Sequence, residues 1–234
     1  LWRELLARRR RFYLVGTEMN IPKRLSQIWV GPRPAPTQWL HTWRDKHPEW
    51  EYSIFTDKML RSRKWHNSHL IEHYYNTGKF PGVSDLIRYE LLYEHGGFWP
   101  EADMTCLENT DELFTSPENY AYSCYENEKL PTPNIQPIMA CNPENVFVKH
   151  IIDTLHKLKP TDLSPEPFRS TGNLFLSKHH PNFKHMITIW PSHYFIPLFY
   201  VRGAKRYDGP DKVYADHKWG STGHANSITY DKGV

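Results

Sequence analysis

Residues 82 to 103 read GVSDLIRYELLYEHGGFWPEAD and contain the strongest structural signals in the sequence. Apolar residues recur at helical spacing along the first half of this stretch, at Val83, Leu86, Ile87 and Leu91. Gly96-Gly97 supplies the glycine that commonly follows a helix end, and Phe98 to Met104 has the composition of a strand. The stretch therefore predicts a helix, a tight turn and a strand in succession, as in α/β folds.

Two pairs of charged residues lie in this stretch. Asp85 and Arg88 are three residues apart on the predicted helix, so both side chains leave from the same face. Glu101 and Asp103 are two residues apart on the predicted strand, so both point to one side of the sheet. We therefore expect four charged groups to converge on one strand end, where a carboxylate pair can hold a divalent cation through oxygen ligands.

An acid-x-acid pair is a weak signal when it is taken alone. With 26 acids among 234 residues, about three such pairs are expected by chance. Three are present, at Glu49/Glu51, Glu101/Asp103 and Glu126/Glu128. Only Glu101/Asp103 follows a predicted helix and a double glycine, and this context makes it the candidate site.

The sequence before this stretch predicts the same alternation of strands and helices. Leu25 to Val30 alternates as a buried strand does, and Trp50 to Phe55 has the pattern of a second strand. Thr37 is the predicted N-cap of a helix that ends near His47-Pro48. This order predicts a mostly parallel sheet covered by helices, with ligands beyond the carboxyl ends of the strands.

Towards its two ends the sequence shows less regular patterns of secondary structure. Leu1 to Leu14 has roughly helical spacing, so we expect a helical lead-in over residues 1–20 and one domain over residues 21–234. Val146 to Leu158 is a further predicted helix, whereas irregular, aromatic-rich structure is expected from Trp190 onward.

Composition excludes several classes of protein. A net charge of +3 is too mild for a nucleic-acid partner, and the basic run Arg8 to Arg11 is interpreted as a solvated helix end. Cys106, Cys124 and Cys141 lack the CxxC spacing of zinc ribbons and redox motifs, which leaves one disulfide open. No apolar run reaches the ~18 residues that a membrane span needs.

Residues 82–103 closely resemble the sugar-binding region of glycosyltransferase family 32. The family pattern runs through Ser-Asp-Leu-x-Arg-Tyr and Tyr-x-x-Gly-Gly to an aromatic residue and Asp-x-Asp. The family includes yeast-type mannosyltransferases, and the large clostridial glucosylating toxins share its core. Further segments are similar to the family, namely Ile21 to Gly31, Pro48 to Asp57, Thr171-Gly172-Asn173, Pro191 to Pro197 and His217 to Ser221.

The resemblance implies a GT-A fold, a Rossmann-like nucleotide-sugar-binding architecture, and a site for the sugar donor. Trp29 would stack on the nucleotide base, and Asp85 and Arg88 would bind the donor sugar. Glu101 would also bind the donor, beside the ribose, the sugar or the metal. Trp219 and Ser221, on a closing C-terminal loop, would contact the donor and help to shut out water.

The resemblance also implies a metal site and a catalytic group. Asp103 would be the main metal ligand, with Glu101 and His217 beside it. Mn²⁺ is the expected cation, and Mg²⁺ is the next. Asp103, Glu101 and Arg88 would be the catalytic residues. The metal held by the two acids, together with Arg88 and donors of the closing loop, would stabilise the departing diphosphate electrostatically, and no protein side chain is nominated as a general base.

The implied activity is that of a retaining hexosyltransferase. It would move a hexose or an N-acetylhexosamine from a UDP- or GDP-sugar to a glycan, protein or lipid acceptor, with no nucleic-acid partner. Family members in eukaryotes usually face the Golgi lumen through an N-terminal anchor. This sequence shows no such segment, so we expect that location if an anchor precedes it and a soluble cytoplasmic protein otherwise.

Three residues depart from the family pattern, the mildest being Asn173 in place of the family's proline. Glu101 stands where Asp is usual, and Pro100 stands where leucine is more usual. These departures leave open a catalytically silent module that binds a nucleotide sugar or a glycan.

A different enzyme class is also compatible with the residues. His69, Glu72 and His73 fit the inverted zincin pattern, in which two histidines on one helical face bind zinc while Glu acts as the base. The pattern is short in a chain with 14 histidines, and no downstream acid stands out as a third ligand, so a zinc peptidase is the remote alternative.

Overall fold

A computed structural model describes residues 19–115 and 121–220 of the chain. Most of the expected lead-in over residues 1–20, including the basic run at Arg8 to Arg11, lies outside the described residues, and so does Ser221. The lead-in and the single domain over residues 21–234 therefore stay predictions.

The described residues form eight strands and seven α-helices, joined by loops and short 3₁₀ helices. The strands are β1 (Arg24–Trp29), β2 (Glu51–Thr56), β3 (Gly97–Trp99), β4 (Met104–Cys106), β5 (Ala121–Tyr125), β6 (Ile135–Cys141), β7 (Ile187–Trp190) and β8 (Ala215–His217). The helices are α1 (Thr37–Lys46), α2 (Asp57–Arg61), α3 (Ser68–Asn76), α4 (Phe80–His95), α5 (Val146–His156), α6 (Pro167–Ser170) and α7 (Asn173–His179).

Six strands form the central sheet in the order β2-β1-β3-β6-β5-β7. The pairs β1/β2, β1/β3 and β5/β7 are parallel, whereas β3/β6 and β5/β6 are antiparallel. As a result β1, β3 and β5 run in the same direction, and their carboxyl ends lie at one edge. The expected α/β fold, a mostly parallel central sheet flanked by helices, is confirmed.

Each face of this sheet has its own apolar core. Helices α3, α4 and α5 bury leucines, isoleucines and aromatic rings against one face, which includes Ile28 and Trp99. The other face, which includes Leu25 and Phe98, packs against Trp43 of α1 and an aromatic cluster from the last third of the described chain. Neighbouring strand residues thus point to opposite cores, as the two-residue period of a strand requires.

Helix α4 is the central element of the first core, and glycines set its position. Gly82 lies so close to Tyr74 that an added Cβ would be 2.4 Å from the ring, so only glycine allows α3 and α4 this contact. The helix ends at Gly96, whose φ of +63° is the left-handed conformation that glycine adopts without strain. Leu86 and Ile87 between these points are fully buried, which stabilises the fold by roughly 2 kcal/mol each.

The expectation of one strand from Phe98 to Met104 is wrong. Strand β3 ends at Trp99, residues 100–103 form a turn, and β4 pairs with β8 in a separate two-stranded sheet. Pro100 has no backbone N–H and cannot continue a ladder of hydrogen bonds, which explains the break. Glu101 and Asp103 therefore lie in a turn and not on one side of a strand.

Two smaller expectations also need correction. Thr37 is the first residue of α1 and makes no side-chain cap, because Pro36 precedes the helix. The region after Trp190 is largely irregular, as expected, but it contains β8, which the sequence did not indicate.

All three cysteines are buried and free, so the disulfide that spacing left open is not formed. Within residues 19–115 and 121–220, every helix is too short or too polar to cross a bilayer.

Candidate active site

The turn between β3 and β4 carries the two acids of the candidate site. The side-chain amide of Gln27 on β1 donates to the backbone carbonyl of Glu101 at 3.0 Å. Asp103 is held from the other side, because the backbone N–H groups of Lys218 and Gly220 donate to its carbonyl and carboxylate oxygens at 2.8 and 2.9 Å. Both acids are thus fixed at the carboxyl edge of the sheet.

His217 joins these acids through the pairing of β4 with β8. Met104 lies opposite His217 in that ladder, which brings the imidazole to the turn from far along the chain. Its Nε2 is 2.8 Å from a carboxylate oxygen of Glu101 and 3.6 Å from one of Asp103. The three side chains offer ligand atoms that all lie within 4.8 Å of one another, a spacing suited to one metal ion.

Charge in this cluster is strongly coupled. Burial alone would lower the pKa of His217, but the carboxylates of Asp103 and Glu101 raise it to about 9. Burial opposes ionisation of Glu101, yet the hydrogen bond from His217 holds the pKa of that carboxyl below its usual range. Burial raises the pKa of Asp103, which has the weaker contact with the imidazole. When the imidazole is neutral, the backbone N–H of Trp219, 3.0 Å away, donates to its Nδ1, and the ring proton is then on Nε2, toward Glu101.

A second charged pair, Asp85 and Arg88, lies buried on α4. The guanidinium is 3.3 Å from the Asp85 carboxylate, which also accepts from the hydroxyl of Thr171 at 3.1 Å. Burial raises the pKa of Asp85 to about 7, with Arg88 acting against it and Glu101 adding to it. Among the described residues, Arg88 Nε has no hydrogen-bond partner although it is buried. An unpaired cationic donor in this position is able to bind an oxygen of a ligand.

Two tryptophans were expected at the site, one at the end of β1 and one in the loop after β8. Trp29 is the last residue of β1, two positions after Gln27 and on the same side of the strand, and it is half-buried. Trp219 is buried in the loop after β8, where its ring contacts His217 at a centroid distance of 4.2 Å and Tyr200 at 4.8 Å. Its φ of +56° is unusual for a non-glycine residue and indicates a constrained loop. Ser221, expected in the same loop, lies outside the described residues.

The structure thus brings together seven of the eight expected site residues near one sheet edge, at Trp29, Asp85, Arg88, Glu101, Asp103, His217 and Trp219. Their roles stay predictions. Gln27 and Thr171 lay within segments that were matched to the family, but neither was given a role. Glu126 was missed, because its acid-x-acid pair with Glu128 was within chance expectation and its partners are distant in sequence.

The alternative zinc site receives no support from the geometry. His69 lies on α3, and its Nε2 bonds the backbone carbonyl of Leu158 at 2.9 Å. A carbonyl only accepts hydrogen bonds, so this nitrogen carries a proton and offers no lone pair to zinc. Neither His69 nor His73 belongs to the three-residue ligand cluster found among the described residues.

Comparison with known proteins identifies the region that contains the turn. Residues 37–120 match the family described as the glycosyltransferase sugar-binding region containing the DXD motif. The chain is 26% identical over 181 residues to inositol phosphoceramide mannosyltransferase 1 of Schizosaccharomyces pombe, covering 69% of this chain and 52% of that protein. It is 29% identical over 167 residues to inositol phosphoceramide mannosyltransferase 3 of the same yeast, covering 67% and 44%. The chain therefore spans about half the length of the curated relatives that it matches.

A solved structure of the PaToxG glycosyltransferase has a similar fold. The two share 15% sequence identity with a TM-score of 0.57, over 70% of each chain. At this identity the likeness shows the fold alone. The resemblance to glycosyltransferase family 32 is confirmed by the matching sugar-binding region and by the mannosyltransferase relatives.

Proposed function

We propose that this chain is a metal-dependent, retaining hexosyltransferase, because residues 37–120 match a glycosyltransferase sugar-binding region and the chain is similar to mannosyltransferases. The donor is a UDP- or GDP-sugar, and the acceptor is a glycan, protein or lipid. The observation that carries the proposal is the convergence of Glu101, Asp103 and His217 on one point beside the buried Asp85–Arg88 pair.

The names of the relatives give an order in which to test donors and acceptors. Both are named for transferring a mannosyl group to inositol phosphoceramide, a lipid that carries a phosphate-linked sugar alcohol. A mannosyl donor places GDP-mannose first among the nucleotide sugars to be tested, and UDP-hexoses follow. A lipid acceptor is likewise the first of the three acceptor classes.

The residues at the turn fit a divalent cation. Two carboxylates and an imidazole within 4.8 Å are ligands that Mn²⁺ and Mg²⁺ accept, with nitrogen favouring Mn²⁺. Asp103 and Glu101 would hold the ion, which supplies charge neutralisation for the leaving diphosphate when it is bound. For His217 to be the third ligand, Nε2 must be free of its proton and the neutral ring must carry its proton on Nδ1. Nδ1 then no longer accepts from the Trp219 N–H, which must find another acceptor. Metal binding and the position of the Trp219 loop are therefore coupled in this proposal.

The remaining residues bind and orient the donor. Arg88 would use its unpaired Nε–H to bind a sugar or phosphate oxygen, and Asp85 would accept from a sugar hydroxyl. Trp29 offers an aromatic face to the nucleotide base at the end of β1. Trp219 would cover the reacting centre and exclude water, which strengthens every electrostatic contact inside.

A donor screen tests this proposal. Thermal shift and nucleotide release are measured for GDP-mannose and UDP-hexoses, each with Mn²⁺ and with a chelator. We expect one donor to stabilise the protein and to be hydrolysed only when the metal is present. Binding of a donor without any turnover would instead identify a silent binding module, and binding of no donor would contradict both functions.

A further inference from the structure

Glu126 lies at the same sheet edge as the acidic turn, although it is distant in sequence. It directly follows β5, which runs in the same direction as β1 and β3, so the carboxyl ends of all three strands meet at this edge. The side chain is half-buried. Its position therefore places a third carboxylate beside the site formed by Glu101 and Asp103.

Neutral amides surround the Glu126 carboxylate. One of its oxygens accepts from the side-chain amides of Asn173 at 3.0 Å and Gln136 at 3.2 Å, and the other accepts from Asn134 at 3.4 Å. Among the described residues, no lysine, arginine or histidine lies within ion-pair distance of it. Burial raises the pKa of Glu126 and the charge of Glu101 adds to that effect, whereas the amide hydrogen bonds and the more distant charge of His217 act against it. A half-buried carboxylate without an ion-pair partner lowers the folding stability, and such groups are typical of functional sites.

Two sets of contacts connect Glu126 to the donor site. The turn at residues 171–173 holds Asp85 through the Thr171 hydroxyl and Glu126 through the Asn173 amide. Gly172 lies between them, so close to Asp85 that an added Cβ would be 3.0 Å from its carboxylate. One turn of chain thus sets the separation of the two acids.

The second set of contacts runs through the aromatic loop. Burial raises the pKa of Tyr200, and the nearby charge of Glu126 contributes to that increase. The Tyr200 ring contacts Trp219, which in turn contacts His217. The electrostatic effect of Glu126 on Tyr200 and these ring contacts together place Glu126 on the side of the metal-ligand cluster where Tyr200 lies.

We propose that Glu126 is a specificity-determining residue of this site, where its carboxylate accepts hydrogen bonds from hydroxyl groups of the transferred hexose. This inference rests on the proposed function. Its oxygens retain acceptor capacity beyond the amide bonds, and sugar hydroxyls are neutral donors that satisfy a carboxylate without a counter-charge. Asp85 would bind the hexose from α4 while Glu126 binds it from β5, so the two acids select the arrangement of its hydroxyls.

The test separates sugar recognition from nucleotide recognition. Affinities are measured by calorimetry with Mn²⁺ for GDP-mannose and GDP, and for UDP-glucose and UDP, in the wild type and in Glu126→Gln. We expect the variant to bind the sugar nucleotide about tenfold or more weakly and the free nucleoside diphosphate as the wild type does. Glu126→Asp, which keeps the charge, should lose less.

Glu128→Gln is the matched control, because Glu128 is exposed and only two residues away. It should change neither affinity. The inference is overturned if Glu126→Gln binds the sugar nucleotide as the wild type does, or if it loses both ligands equally, since that loss would indicate a purely structural role. If the wild type itself binds no sugar nucleotide, the proposed function fails as well, so the two failures are distinguishable.

Discussion

His47 and His217 are both buried, with 1% and 7% of their surface exposed, yet their surroundings are opposite. His47 packs between the rings of Trp43 and Trp50, and its two ring nitrogens bond the backbone carbonyl of Trp43 and the neutral groups of Thr110. Burial lowers the pKa of His47, so this imidazole is neutral at physiological pH. The pKa of His217 is raised because two carboxylates face it.

The difference between these histidines shows how the fold separates stability from function. The region of His47 satisfies each polar atom with a neutral partner, as a core does. The region of His217 gathers charges that oppose burial, and the imidazole and the carboxylates are one another's main partners. Such an arrangement costs folding free energy, and a ligand that replaces the imidazole proton would recover it.

The largest expected effect is on donor hydrolysis, from a substitution of Asp103. Asp103→Asn should lower metal-dependent donor hydrolysis by at least about 100-fold, because it removes a ligand charge while the amide oxygen still accepts from the Gly220 N–H. Nucleotide release with Mn²⁺ measures the effect. Asp45→Asn, at an exposed acid bonded to Arg44, is the control and should be as active as the wild type. Equal activity of the two variants would show that Asp103 has no catalytic role.

Mn²⁺ should change the stability of the His217 variant but not that of the His47 variant. In the presence of a chelator, His47→Ala and His217→Ala should each lower the free energy of unfolding by about 2–4 kcal/mol. His47→Ala loses packing in the core, whereas His217→Ala leaves two buried carboxylates without their cationic partner. Millimolar Mn²⁺ should recover about 1 kcal/mol or more in His217→Ala alone, because a cation compensates those carboxylates. Urea unfolding measures both. Equal recovery of stability in the two variants would show that Mn²⁺ does not act through the carboxylates around His217.

The pH dependence of stability should have opposite signs at the two sites. The folded-state pKa of His47 is below its unfolded value, so the unfolded state binds more protons and stability is lost as pH falls below about 6.5. The folded-state pKa of His217 is above its unfolded value, so its contribution is complete below about 6.5 and is lost as pH rises through about 9.

Urea unfolding in chelator from pH 5 to pH 10 checks these signs. The gap in unfolding free energy between wild type and His47→Gln should narrow toward low pH, whereas the gap to His217→Gln should narrow toward high pH. Two gaps that narrow in the same direction would contradict the assigned charge states.

The smallest effect on donor hydrolysis is expected from shortening the side chain of Glu101. Glu101→Asp restores the acid that is usual in the family and keeps the carboxylate, so hydrolysis should change by less than about tenfold. The shorter side chain should weaken the 2.8 Å contact with His217 and thereby lower the pKa of that imidazole. NMR titration of the ring measures the shift in chelator, and an unchanged pKa would show that this contact does not set the charge of His217.

Local patterns in the sequence predicted much of the fold. The apolar spacing of residues 83–91 and the double glycine located α4 and its end, and alternation located β1 and β2 to within one residue at each end. These elements depend on interactions between residues that are close in sequence, and such interactions leave a periodic pattern of apolar residues. The break at Pro100 was foreseeable from its missing N–H, but the length of the apparent strand concealed it.

Non-local contacts explain what the sequence did not predict. His217 reaches the turn only because β8 pairs with β4, and a three-residue strand leaves almost no periodic signal. Glu126 is held by amides from three separate positions, at Asn134, Gln136 and Asn173. The resemblance indicated His217 and the acids of the turn, whereas Glu126 became visible only from the folded arrangement.

Binding of Mn²⁺ tests the central claim most directly. Electron paramagnetic resonance of free Mn²⁺ is followed as wild type and Asp103→Asn are added, with GDP or UDP present. The account predicts saturable binding of a single ion per chain in the wild type, accompanied by proton release, and at least about tenfold weaker binding in the variant. Equal binding by the two proteins, or no saturable binding by the wild type, would contradict it.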